Sequence, residues 1–265
     1  MKTVLFIVTE INSANGICSR AVMKKLSADG FKVLCVCNEE RELPKGHFSE
    51  DNIDYYTVRP RLVYRLEAYL ACLNGGFKKR ILGIITAIIN KTKLLLTLPS
   101  WPLISPSYSM RIYKRARELC RKENVDIIIP VFTKVDALIS ARKLKKENPV
   151  VKYYQYFLDS MSGGFGPRMM SKEWIIKRGL KWEQRLLKDA DKIILMKSSE
   201  EHHKKYSSDK EYYKKMVFLD LPLFTPEQKS FIDSKKSSET KELLCESGEY
   251  FENEEEKNKV INRLL

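Results

Sequence analysis

The stretch Val4-Leu5-Phe6-Ile7-Val8-Thr9-Glu10-Ile11-Asn12-Ser13-Ala14-Asn15-Gly16 decides the fold. Five consecutive apolar residues, Val4–Val8, suit a strand buried on both faces, because a strand with one wet face would alternate. The polar run from Thr9 to Asn15 is a turn. Beyond it Cys18, Val22 and Leu26 recur every four residues, which is one face of a helix over Ile17–Asp29. Gly30 is placed to end that helix, since only glycine takes the left-handed conformation at no steric cost. Phe31–Cys37 is apolar again and forms a second strand. Strand, helix and strand in about 35 residues make a parallel βαβ unit with a right-handed crossover.

The same rhythm runs outward from this unit. Ile53–Val58 reads as a third strand, Tyr108–Asn124 as a helix and Val125–Phe132 as a buried strand. Lys134–Lys146 is a helix, Val150–Phe157 a strand, and Trp174–Ala190 a long amphipathic helix with Ser171 near its start. Asp191–Met196 and Met216–Leu221 are further strands, and Ser198 with Glu201 forms a capping-box pattern between them. The expected fold class is therefore α/β: a doubly wound, mostly parallel sheet of about seven strands, with helices on both faces. Residues 1–225 form this domain. Residues 226–265 are a polar, acidic tail, either the start of a second domain or a disordered stretch.

Charge narrows the partners. The net charge is +14. The tail carries ten acidic and seven basic residues, a net of −3, which leaves +17 on residues 1–225. Such a body attracts anions. Between Arg59 and Trp101 stand Arg59, Arg61, Arg65, Lys78, Lys79, Arg80, Lys91 and Lys93 against one acid, Glu67, interleaved with the apolar runs Ile81–Ile89 and Leu94–Leu96. This insertion has two readings: core helices with solvated basic ends, or an interfacial segment on an anionic membrane surface. No recognition motif accompanies the charge, so nucleic acid is not an expected partner. The start of the chain meets Glu10 early and lacks a small-residue cleavage site, which argues against a secretory signal and for a cytoplasmic protein. The six cysteines form no CxxC pair and the three histidines lack ligand spacing, so no metal is expected.

In an open α/β sheet ligands bind beyond the carboxyl ends of the strands. The loops there hold Asn15 and Gly16, Thr133, the run Asp159–Met170, and Glu200. The Asn15-Gly16 turn enters a helix, whose free N–H groups and dipole suit an anion, although an ordinary turn explains the pair equally well. It has no GxGxxG, so a nicotinamide or flavin dinucleotide is not expected, and no GxxxxGK(S/T), so it is not a P-loop. The loop Asp159-Ser160-Met161-Ser162-Gly163-Gly164-Phe165-Gly166-Pro167 has the composition to flex over a substrate. Its Asp159 is either a carboxylate partner for a sugar hydroxyl or an ion-paired cap, and Arg168 either pairs with it or meets a phosphate. Trp174, Trp182, Ile175, Leu186 and Leu187 form a stripe expected in the core, and His202-His203 is expected on a helix surface. No Ser/His/Asp nucleophile set assembles from the sequence.

Taken together, the Asn15-Gly16-x-x-x-Arg20 helix start, the Asp159 mouth, the segment Trp182-Glu183-Gln184-Arg185-Leu186-Leu187-Lys188-Asp189-Ala190-Asp191-Lys192-Ile193-Ile194 followed by Ser198-Ser199-Glu200, and Phe218-Leu219-Asp220-Leu221-Pro222 resemble the Rossmann-like N-terminal domain of family 4-like GT-B glycosyltransferases. The resemblance covers residues 1–225. It implies an acceptor-binding half, with a nucleotide sugar as co-substrate, a glycan or lipid-linked acceptor, and no metal or resident cofactor. It implies Asp159 as the catalytic residue, and Asn15, Gly16, Arg20, Thr133, Gly163, Gly164, Arg168 and Glu200 as substrate contacts. Such an enzyme needs a second, donor-binding domain, so this chain alone is expected to be inactive and to need a donor-domain partner. The alternative is a non-catalytic, peripheral membrane module that recruits a separate donor-binding chain.

Overall fold

In the computed structural model the described residues are 1–40, 43–98, 101–163, 166–167 and 169–219. The acidic tail, Gly164 and Arg168 lie outside them. Eight strands form one sheet: β1 (Thr3–Val8), β2 (Lys32–Asn38), β3 (His47–Glu50), β4 (Ile53–Val58), β5 (Ile127–Pro130), β6 (Lys152–Phe157), β7 (Lys192–Met196) and β8 (Met216–Leu219), in the order β3-β4-β2-β1-β5-β6-β7-β8. All neighbours run parallel except β3 and β4.

The expected seven strands are thus eight. The additional β3 is polar and solvated, so hydrophobic pattern could not reveal it. A two-residue turn makes it. Asp51 and Asn52 sit at φ 54° and 59°, both left-handed, as a twisted hairpin requires. Expected helix and strand bounds hold elsewhere to within a few residues.

The alternation of β1 sets the two faces. Leu5 and Ile7 point to one side with Leu34, packing under α4 (Pro106–Lys122) and α5 (Val135–Glu147). Val4, Phe6 and Val8 point to the other with Val33, Cys35 and Cys37, against Met23 of α1 (Ala14–Ala28). Each fully buried side chain of this size contributes roughly 1.5–3 kcal/mol, which makes β1 the hydrophobic spine. Helices α2 (Leu62–Ala71) and α3 (Phe77–Thr97) pack against each other and are joined through Gly75 and Gly76, both at positive φ. Helix α6 (Lys172–Leu187) covers the α4/α5 side, its Ser171 cap accepting from the Trp174 N–H. Short α7 (Glu200–Ser207) precedes β8. Its cap differs from expectation: Ser199 is the N-cap and bonds back to the Met196 carbonyl, so the Ser198–Glu201 capping box does not form.

Two aspartates pin the amino ends of the strands. Asp126 accepts from the Thr3 N–H at 2.7 Å, and Asp191 from the Tyr153 N–H at 2.8 Å and from Lys145 at 3.0 Å. The Ala190-Asp191 feature is therefore a brace at the end of the sheet opposite the ligand rim.

Candidate functional site

Three neighbouring strands, β1, β5 and β6, end side by side, and the order reverses between β1 and β5. That reversal splays the following loops apart and opens a crevice. A cavity of about 210 Å³ fills it, lined by Asn15, Phe132, Thr133, Asp159, Ser160 and Met161, with Trp101 and Pro102. The sequence-predicted Asn15, Thr133 and Asp159 come together here. A larger hollow of about 450 Å³ on the outer side of α6, near Tyr206 and Tyr212, shares none of these residues.

Each lining group is held by its neighbours. The Thr9 hydroxyl bonds that of Thr133, tying the β1 loop to the β5 loop. The Asn15 amide reaches the Phe132 carbonyl at 3.5 Å, and Lys134 faces Glu10 at 3.4 Å. Ser13 caps α1 by accepting from the Gly16 N–H at 3.1 Å. Helix α5 begins beside Thr133 without a side-chain cap. Two helix N-termini thus aim their dipoles at one cleft, an arrangement suited to negative charge. Asp159 is exposed at the mouth of β6, and its charge raises the pKa of the Cys18 thiol after burial has done most of that work, which sets the carboxylate opposite α1.

Other predicted contacts fall elsewhere. Gly16 is buried behind the turn: a Cβ there would stand 2.3 Å from the carbonyl oxygens of both Glu10 and Ile11. The glycine serves the tight fold of its own loop, not close approach of a ligand. Arg20, Gly163 and Glu200 are absent from the cleft lining. The charge of Arg20 is felt at Tyr55, in β4, and Glu200 is exposed on the first turn of α7. Gly164 and Arg168 lie outside the described residues. Arg61, expected in a solvated basic flank, is buried against Asp136. Asp136 also accepts from the Ser105 N–H at 2.9 Å and the Ser109 hydroxyl at 2.6 Å, while Arg61 donates to the Leu103 carbonyl at 3.1 Å. This network holds the segment that carries Trp101 and Pro102 against α5.

Sequence reading missed the aromatic wall. Trp101 lies in a connection far from any strand end in sequence. Its ring meets that of Trp174 at 6.2 Å between centroids, and its carbonyl accepts from Arg178 at 3.0 Å. Trp174, expected in the core, is half-buried and braces this wall, whereas Ile175, Leu186 and Leu187 are core.

The loop after β6 is also more firmly held than its composition suggested. Within Asp159–Gly163, the Gly163 N–H closes a turn onto the Ser160 carbonyl. Ser162 donates through both N–H and hydroxyl to Glu183, each at 2.9 Å, and its hydroxyl meets His202 at 2.8 Å. Ser160 meets buried His203 at 2.7 Å. His203 is therefore interior, contrary to the surface expectation. A serine between a glutamate and a histidine is not a nucleophile triad, because the histidine has no carboxylate to orient it. The cluster positions the loop.

Among the described residues no group of three His, Cys, Asp or Glu could hold a metal, and no helix is long and apolar enough to cross a membrane. No family model matches the sequence, and no curated protein does. Solved structures do match. Sucrose-phosphate synthase from Thermosynechococcus elongatus aligns at 12% identity with a TM-score of 0.51, over 83% of this chain and 48% of that one. The chain has the Rossmann-like fold found in GT-B glycosyltransferases. Phytolacca americana UGT2, solved with UDP-2-fluoroglucose and pterostilbene, aligns at 10% identity and TM-score 0.47, over 89% of this chain and 58% of that one. The chain spans about half the length of the glycosyltransferases it matches. The Rossmann-like, GT-B character expected from the sequence thus stands at the level of the fold.

Proposed function

We propose that the described lobe is the acceptor-side half of a glycosyltransferase that moves a sugar from a nucleotide sugar to a glycan or glycolipid acceptor. The observation that supports this most is the cleft at the strand reversal. It combines a carboxylate (Asp159), hydroxyls (Thr133, Ser160), an amide (Asn15) and an aromatic wall (Trp101, Phe132). Such a mixture suits a sugar: the ring's C–H face lies on an aromatic while its hydroxyls exchange hydrogen bonds with the polar groups. Asp159 is the group available to take the proton of the attacking acceptor hydroxyl. The helix N-termini of α1 and α5 favour the leaving phosphate on the open side. The donor nucleotide needs an opposing lobe.

The purified 265-residue chain is therefore expected to bind acceptor saccharides. A glycan panel followed by calorimetry, with Asp159→Asn and Thr133→Val, tests this. Binding weakened by roughly tenfold or more in either variant, as loss of one charged or neutral hydrogen bond implies, supports the reading. Saccharide affinity unchanged in both variants refutes it.

A further inference from the structure

Helix α3 turns its apolar side outward. Phe77, Ile81, Ile84, Ile85, Ile88 and Leu95 are exposed, Phe77 to 78% and Ile84 to 60%. At about 100° per residue these six project within one arc of roughly 100°. The opposite side holds Thr86, which is 4% exposed and bonds its own helix at the Leu82 carbonyl, 2.8 Å away. Helix α2, packed alongside, adds exposed Leu62 and Tyr69. An ordinary surface helix presents the reverse pattern, polar outward.

Exposed cations border this arc: Arg65 on α2, and Lys78, Arg80 and Lys91 on α3. The only acid from residue 59 to 101, Glu67, is engaged by the Asn90 amide at 3.3 Å. We infer that the outward face of α2 and α3 is a docking surface for an anionic lipid bilayer. The charge decides among occupants. A second copy seated face to face would set these cations against their own images, whereas anionic headgroups complement them while the isoleucines enter the acyl boundary. The helix is of the length to lie along the interface, and none of the described helices can span it. Trp101 of the cleft wall follows α3 closely in sequence, so docking would present the cleft to headgroup-level acceptors. The docking itself does not depend on the sugar chemistry proposed above.

The test is co-sedimentation of the full chain with phosphatidylcholine vesicles, with and without phosphatidylglycerol. Retention is expected only when phosphatidylglycerol is present, and should fall as salt is raised. Ile84→Ser with Ile88→Ser should weaken retention by roughly tenfold or more, as should Lys78→Glu with Lys91→Glu, each with an unchanged melting curve because these side chains are exposed. Absence of retention on anionic vesicles overturns the proposal. So does retention unaffected by the isoleucine pair, or a wild-type dimer in solution that the isoleucine pair converts to monomer without vesicles ever retaining it. The Asp159→Asn variant should dock as the wild type does, so a failed sugar assay leaves this result intact.

Discussion

At the scale of single residues, identity and role come apart. Asn15 and Gly16 are adjacent and form one loop signal in the sequence. Asn15 reaches the cleft, while Gly16 is demanded by backbone behind it. Gly16→Ala puts a methyl group against two carbonyls of its own turn. It should destabilise the chain by roughly 1–3 kcal/mol or more, as overpacking does, seen as a lowered urea midpoint. Unchanged stability would mean that the turn relaxes freely and that the glycine has another purpose. Asp136→Asn probes a different residue-level device. It removes the charge that compensates buried Arg61, so unfolding should become easier by roughly 3–5 kcal/mol. Neither role was legible in sequence. A glycine's neighbours and an arginine's partner 75 positions away are products of the fold, not of local pattern.

At the scale of elements, α6 shows how a helix can hold a loop. Gly179 lets it approach until a Cβ would stand 2.5 Å from the Met161 carbonyl oxygen, and Glu183, one turn further on, receives Ser162. The periodicity of α6 and its Ser171 start were readable. That its buried face includes a carboxyl was not, because Glu183 looks like any surface glutamate in the sequence. Burial pushes the Glu183 carboxyl up to about 7, with the hydrogen bonds from Ser162 pulling the other way. Burial likewise pulls the neighbouring His203 down to about 4. The two act on stability with opposite sign. Folded Glu183 keeps its proton where the unfolded chain has lost it, so its contribution is greatest below pH 4.5 and falls as pH rises through about 7. Folded His203 stays neutral where the unfolded chain is charged, so its contribution is complete above pH 6.5 and declines as pH falls toward about 4. Glu183→Gln removes only the first effect. Between about pH 5 and about pH 8 its stability relative to wild type should rise by roughly 2–3 kcal/mol, measured by urea unfolding at both ends. A constant offset at both pH values would show that the carboxyl titrates normally inside the fold.

At the scale of the whole molecule, the parallel core was legible because a strand buried on both faces is continuously apolar, and the centre of the sheet, β1, β2 and β5, follows that rule. The rim was half legible: strand order fixed where Asn15, Thr133 and Asp159 would meet, whereas Trp101 arrives from an insertion whose path no periodicity records. The insertion itself has two readings in sequence; α2 and α3 lean mainly on each other and leave their apolar arc open, the observation on which the proposed docking rests. Stability should then be graded across the chain, because local opening is cheapest where buried apolar contact is least. Hydrogen exchange is expected to be slowest in β1, β2 and β5 at the centre of the sheet, faster in the edge strands β3 and β8, and fastest in the α2–α3 pair. Adding anionic vesicles should slow exchange in α3 selectively and leave β1 as it was. Amides of α3 as slow as those of β1 in the free protein would mean that its outward face is already covered in solution, and general slowing with vesicles would point to binding by overall charge without a docking helix.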